Sequence, residues 1–187
     1  MQVTLDGFLG GRLRLAQPIT GYRAGIDPVL LAAACLAQSG QEVLELGCGV
    51  GVASLCLGRR VPGLGLNGLE ILGEYVQIAR ENSVRNSIQF DVGQGDVSAR
   101  PTPFFDRSFH HVIMNPPYFL ADASSISPEA GRASGRSEQV ALSHWVDMAA
   151  KRLRPKGYLT VIQRAERLPD LLAGLEGCLG SIVVQPL

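Results

Sequence analysis

No stretch of this chain approaches the roughly 18 uninterrupted apolar residues of a membrane span, so no membrane contact is expected. The opening MQVTLDGFLGGRLRL lacks the basic start and apolar block of a signal peptide, which predicts a cytoplasmic protein. The four cysteines, Cys35, Cys48, Cys56 and Cys178, form no CxxC pair, and a chain of 187 residues needs no disulfide framework. They are expected to be reduced and mostly buried. Three histidines make no HExxH, and no Cys/His cluster has zinc spacing, so no protein metal site is expected. Net charge is also missing: 17 Lys and Arg balance 17 Asp and Glu, and bulk charge therefore gives no hint of nucleic acid. Internal repeats and low-complexity tracts are absent. What remains is apolar: 46% of residues belong to the AVILMFWYC set and only 18% are charged. That excludes disorder of the whole chain and supplies one sizeable core.

The pattern along the chain alternates. Residues 1–24 read as short strands, MQVTLDG and RLRLAQ, joined by a turn at Gly10-Gly11. Asp27-Pro28 opens a helix, PVLLAAACLAQ, with Asp27 as its cap. Strands are expected at 42–47, 64–70, 88–96, 109–115 and 158–164, with a sixth in SIVVQP near the carboxyl end. Helices are expected at 50–61, 74–86, 144–154 and 168–179, the third capped by Ser143 and stopped by Pro155-Lys156-Gly157. Such alternation predicts a single α/β domain: residues 1–26 an amino-terminal β extension, residues 27–187 a doubly wound, mostly parallel, Rossmann-like core. Ligands of such sheets bind at the carboxyl ends of the strands near the topological switch point. The long 116–137 loop, rich in Ser, Gly and Pro, falls there and is itself a functional candidate.

Two motifs carry the chemistry. The first is Glu45-Leu46-Gly47-Cys48-Gly49-Val50-Gly51, a strand, a glycine-rich turn and a helix start. Glycines let the backbone turn sharply and approach a ligand, and the helix start offers free N–H groups. A dinucleotide fingerprint would want glycine at position 52, where Val52 stands. The GxGxG form resembles motif I of the class I S-adenosylmethionine-dependent methyltransferases. Glu70 ends the second core strand, 19 residues after Gly51, where a carboxylate can accept both ribose hydroxyls. In Gly95-Asp96-Val97, Asp96 matches the position that contacts the adenine amino group in that family; a turn-forming Asp is the alternative.

The second motif is Asn115-Pro116-Pro117-Tyr118 at the end of the fourth core strand. Two prolines force the backbone out of the sheet in a stiff conformation. The Asn115 side-chain oxygen and the Pro116 carbonyl can then aim at one point. Two acceptors suit an NH2 group on a planar π-system, and Tyr118 can stack on that system. Together the motifs resemble the NPPY amino-methyltransferases, which act on adenine N6, cytosine N4, guanine N2 or the glutamine N5 of release factors. The upstream segments Asp6–Leu13 and Gly21–Asp27, with Leu30-Leu31-Ala32, look like the bacterial tRNA1(Val) adenine-N6 methyltransferase family.

The resemblance implies S-adenosylmethionine as cofactor and tRNA as the nucleic-acid partner. It places Arg23, Gly25 and Asp27 on the cofactor side, together with Glu45, Gly47, Cys48, Gly49, Gly51, Glu70, Asp96, Val97 and Asn115. Asn115, Pro116, Pro117 and Tyr118 become the catalytic set. About 40 residues precede the glycine turn, too few for the helical substrate domain expected of a release-factor enzyme. Protein-glutamine methylation and a non-catalytic binding subunit of the same fold are the competing readings. Two departures stand out. The fourth strand begins Phe109-His110 where the group usually has Phe-Asp, and the chain ends at SIVVQPL with nothing left for the usual seventh strand. An open sheet edge would invite a second copy or another partner. Arg12, Arg14, Arg23, Arg132 and Arg136 are candidates for phosphate contact, whereas Lys151, Arg152, Arg154 and Lys156 read as a solvated helix end.

Overall fold

A computed structural model describes residues 1–99, 103–117 and 142–187. Strands β1 (Val3–Phe8) and β2 (Leu13–Pro18) form an antiparallel hairpin. Its turn contains Gly10 and Gly11, both at positive φ. After α1 (Asp27–Ala34), the core alternates: β3 (Glu42–Leu46), α2 (Val52–Arg60), β4 (Gly65–Glu70), α3 (Gly73–Asn86), β5 (Phe90–Gln94), β6 (Phe109–Met114), α4 (Leu142–Arg152), β7 (Leu153–Val161) and α5 (Leu168–Leu175). The five core strands are all parallel, in the order β5-β4-β3-β6-β7. Chain order reverses between β3 and β6, so the switch point lies there.

The alternation along β3 explains why the sheet is covered on both sides. Val43 points to a core with α1, α2, α3 and the hairpin; Leu44 and Leu46 point to a second core with α4 and α5. Leu44, Leu46, Phe109 and Met114 are fully buried in that second core, each side chain contributing about 1.5–3 kcal/mol. The hairpin is tied to α3 by two asparagines acting as ladder partners. Asn82 Oδ1 accepts from Ala16 N at 2.7 Å and its Nδ2 donates to Ala16 O at 3.0 Å; Asn86 does the same for Arg14, at 2.9 Å each way.

Several expectations need correction. Residues 182–187 form no strand and lie exposed: SIVV has high β-propensity, but among the described residues it has no ladder to join. Ser143 lies within α4 rather than capping it, because the helix already runs at Leu142. Pro155-Lys156-Gly157 does not follow a helix end directly. It lies within β7, where the register slips from Phe109↔Leu153 to His111↔Tyr158 and Lys156 takes φ 64°. The cap of α1 is Ile26, without a side-chain cap bond, and Asp27 is the first helical residue.

Candidate functional site

At the carboxyl end of β3 the chain enters the turn at Gly47, Gly49 and Gly51, with φ of 64°, 53° and 87°. The first and last are required by packing. A Cβ on Gly47 would lie 2.6 Å from a ring carbon of Trp145, and one on Gly51 would lie 2.8 Å from Phe90. Gly49 differs, because a Cβ there would meet nothing within 4 Å. Its missing side chain leaves open space at the helix start rather than room for a neighbour.

Two buried carboxylates pin this turn. Glu45, on β3, accepts from Ser54 N at 3.0 Å and from Ser54 Oγ at 2.5 Å, taking up an otherwise free N–H in the first turn of α2. Burial pushes its pKa up to about 8; the Ser54 bonds pull it down and the nearby Glu70 charge raises it. Glu70, at the end of β4, accepts from Gly49 N with one oxygen and from Leu72 N with the other, both at 2.9 Å. Burial raises its pKa, while the same N–H bonds lower it. A carboxylate offers about four lone-pair sites, so Glu70 keeps acceptor capacity beyond these backbone bonds.

Across the switch point, Asn115 follows β6. Its Oδ1 is buried and has no hydrogen-bond partner among the described residues. An unpaired buried acceptor costs about 1–3 kcal/mol, so its persistence marks a place where a donor is due. Pro116 is buried, and its carbonyl accepts from Gln163 Nε2 at 3.3 Å. Gln163 was invisible to sequence reasoning, because its place beside Pro116 depends on β7 pairing with β6. Tyr118, Arg132 and Arg136 fall outside the described residues.

Between the glycine turn and Asn115 lies a small open cavity, lined among others by Tyr22, Ala24, Glu45, Gly47, Cys48, Gly49 and Asn115. Arg23, Gly25 and Asp27 are not among its lining residues; Arg23 is held by Asp6, Thr4 and Pro18 O on the hairpin. Asp96 builds a turn, its Oδ1 accepting from Ser98 N and Oγ at 2.8 Å each, and Val97 packs against the second core. Among the described residues no group of three or more His, Cys, Asp or Glu could hold a metal, and no helix is long and apolar enough to cross a membrane.

Comparison with known proteins agrees with this layout. The family model of the methyltransferase small domain matches residues 26–182. A tRNA1(Val) (adenine(37)-N6)-methyltransferase from Porphyromonas gingivalis is 29% identical over 175 residues, which cover 89% of this chain and 68% of the relative. A second relative of the same name and species, from another strain, is 30% identical, and 61% of its length is covered. Among solved structures, a T. thermophilus 16S rRNA N2 methyltransferase in complex with AdoMet and guanosine superposes with a TM-score of 0.64 at 22% identity. The match spans 92% of this chain and 45% of that one.

Proposed function

The chain belongs to the methyltransferase small domain family and is a S-adenosylmethionine-dependent methyltransferase; from that premise we propose that its acceptor is an exocyclic amine, adenine N6 in tRNA. The observation that carries the reading is the buried Oδ1 of Asn115, without a partner among the described residues and set across the switch point from the glycine turn. The cavity fits the donor on its own features. Gly49 leaves open space at the start of α2, Glu45 lines the cavity, and Glu70, outside that lining, holds the Gly49 N–H. Glu70 would hold the ribose hydroxyls, and Gly47, Cys48 and Gly49 would let the backbone approach. Asp96 and Val97 are proposed for the adenine side.

S-adenosylmethionine supplies a methyl group already activated on a sulfonium. The chain's own work is therefore orientation. Asn115 Oδ1 and the Pro116 carbonyl accept the two amine hydrogens, which turns the nitrogen lone pair away from them and toward the donor. Gln163 holds the Pro116 carbonyl from the β7 side. After transfer, the positively charged nitrogen loses a proton to water and regains its conjugation with the ring. Tyr118 is proposed to stack on that ring, as aromatic side chains do on unstacked bases. The base must therefore be presented in a loop or flipped out.

The decisive experiment incubates the purified chain with methyl-labelled S-adenosylmethionine and either tRNA or release factor, followed by nucleoside and peptide analysis. Label in N6-methyladenosine is the expected result. Label in glutamine would replace the substrate assignment, and no label in either would favour a non-catalytic subunit.

A further inference from the structure

The segment from Ile19 to Ile26 has no regular structure, yet Tyr22 and Ala24 within it line the cavity. Backbone groups there cannot be left unpaired without cost, so where they go is informative. Both groups of Tyr22 go to one side chain: its N–H donates to Tyr75 Oη at 3.0 Å, and its carbonyl accepts from that hydroxyl at 3.3 Å. Both groups of Ala24 go to another: its N–H donates to Gln17 Oε1 at 2.8 Å, and its carbonyl lies 3.5 Å from Gln17 Nε2. The Gln17 amide thus replaces a neighbouring strand for this residue.

Gln17 is itself fixed. It is 3% exposed, and its Nε2 donates to Asp6 Oδ2 at 2.7 Å. The same Asp6 oxygen accepts from Arg23 Nη2 at 2.6 Å, while Arg23 Nη1 donates to Thr4 Oγ1 and to Pro18 O. Alternate residues of an extended segment face opposite sides. Arg23 therefore turns to the hairpin while its neighbours Tyr22 and Ala24 line the cavity.

We infer that Gln17 is a positioning residue for cofactor binding: through Ala24, and together with Asp6 and Arg23, it holds the hairpin-side wall of the cavity in place. The inference rests on the cavity being the S-adenosylmethionine site. It assigns the hairpin a task within the transferase, since β1 carries Asp6 and β2 carries Gln17. Arg23 serves the site by holding this wall.

The test uses the full chain with Gln17→Ala and with Gln17→Met, which keeps the volume but removes both polar groups. Leu15→Val, in the same strand, is the control for general loss of hairpin stability. Calorimetry should show S-adenosylmethionine binding weakened about tenfold in both Gln17 variants and within about twofold of wild type in Leu15→Val. At saturating donor, kcat should stay within about twofold of wild type, with the loss appearing in KM for the donor. In the ligand-free protein, hydrogen exchange at Ala24 N–H should accelerate in the Gln17 variants only. Unchanged affinity in Gln17→Ala and Gln17→Met, or an equal loss in Leu15→Val, would overturn the assignment. Wild type failing to bind S-adenosylmethionine would overturn the cofactor reading instead, with the Ala24 exchange still reporting whether Gln17 holds the wall.

Discussion

On the β3–β4 side of the crevice, Glu45 and Glu70 already accept backbone N–H groups from Ser54, Gly49 and Leu72, and two of the three glycines are fitted against aromatic rings. On the β6 side, Asn115 Oδ1 is buried with no partner among the described residues, and Gln163 reaches the Pro116 carbonyl with a single long bond. The first lip is a finished frame, whose shape exists before a ligand arrives. The second carries a buried acceptor that is unpaired among the described residues. On the function proposed above, the first lip serves cofactor binding and the second serves alignment of the acceptor.

The sharpest way to break the contrast is Asn115→Ala. It should lower the methyl-transfer rate about 100- to 1,000-fold, the usual loss on removing a positioned polar group, with S-adenosylmethionine affinity nearly unchanged by calorimetry. A matching loss of affinity would place Asn115 in the frame instead. Next in size is Glu70→Ala, which removes the acceptor for Gly49 N and Leu72 N. Donor binding should weaken by about 1.5–3 kcal/mol, read by the same titration.

Gly47→Ala and Gly49→Ala separate frame from open space. The first should lose about 1–3 kcal/mol of stability in denaturant titration, since its Cβ meets Trp145. Gly49→Ala should lose less, because nothing lies within 4 Å, while weakening the donor more for each unit of stability lost. The smallest effect concerns Glu45. Its folded pKa of about 8 lies above the ordinary 4.5, so the protonated form is favoured by folding. The stabilisation is complete below about pH 4.5 and is lost as pH rises through about 8. Ligand-free protein should therefore show a falling Tm over that window. Glu45→Gln should flatten the profile, with a gain of several degrees at its alkaline end at about 2–4 °C per kcal/mol.

How much of this was legible depended on whether a feature was local. β3, β4 and β6 are buried along most of their length, and their regular alternation with helical segments announced them in the sequence. The glycine turn and Asn115-Pro116 were legible as well, because backbone constraint at Gly and Pro is written in the residue type. Strand pairing was not. SIVVQP has the composition of a strand, yet among the described residues it has no neighbour to pair with. Gln163 meets Pro116 only because β7 lies beside β6. Gln17 was silent for the same reason, since a polar residue that partners distant backbone leaves no periodic trace, and the helical spacing that marks Tyr75 says nothing of its bonds to Tyr22.

The packing of Trp145 beneath Gly47 gives the protein an optical reporter of its own. It is the single tryptophan in the chain, and its ring lies against the turn that begins the ligand cradle. Its indole N–H is buried without an acceptor among the described residues, so a blue-shifted emission is the expected result. Any ligand that shifts the turn, or any water that reaches the indole, alters one fluorophore against no background from another. The order of events at the site, cofactor arrival against acceptor arrival, is therefore readable in stopped-flow emission from the unmodified chain.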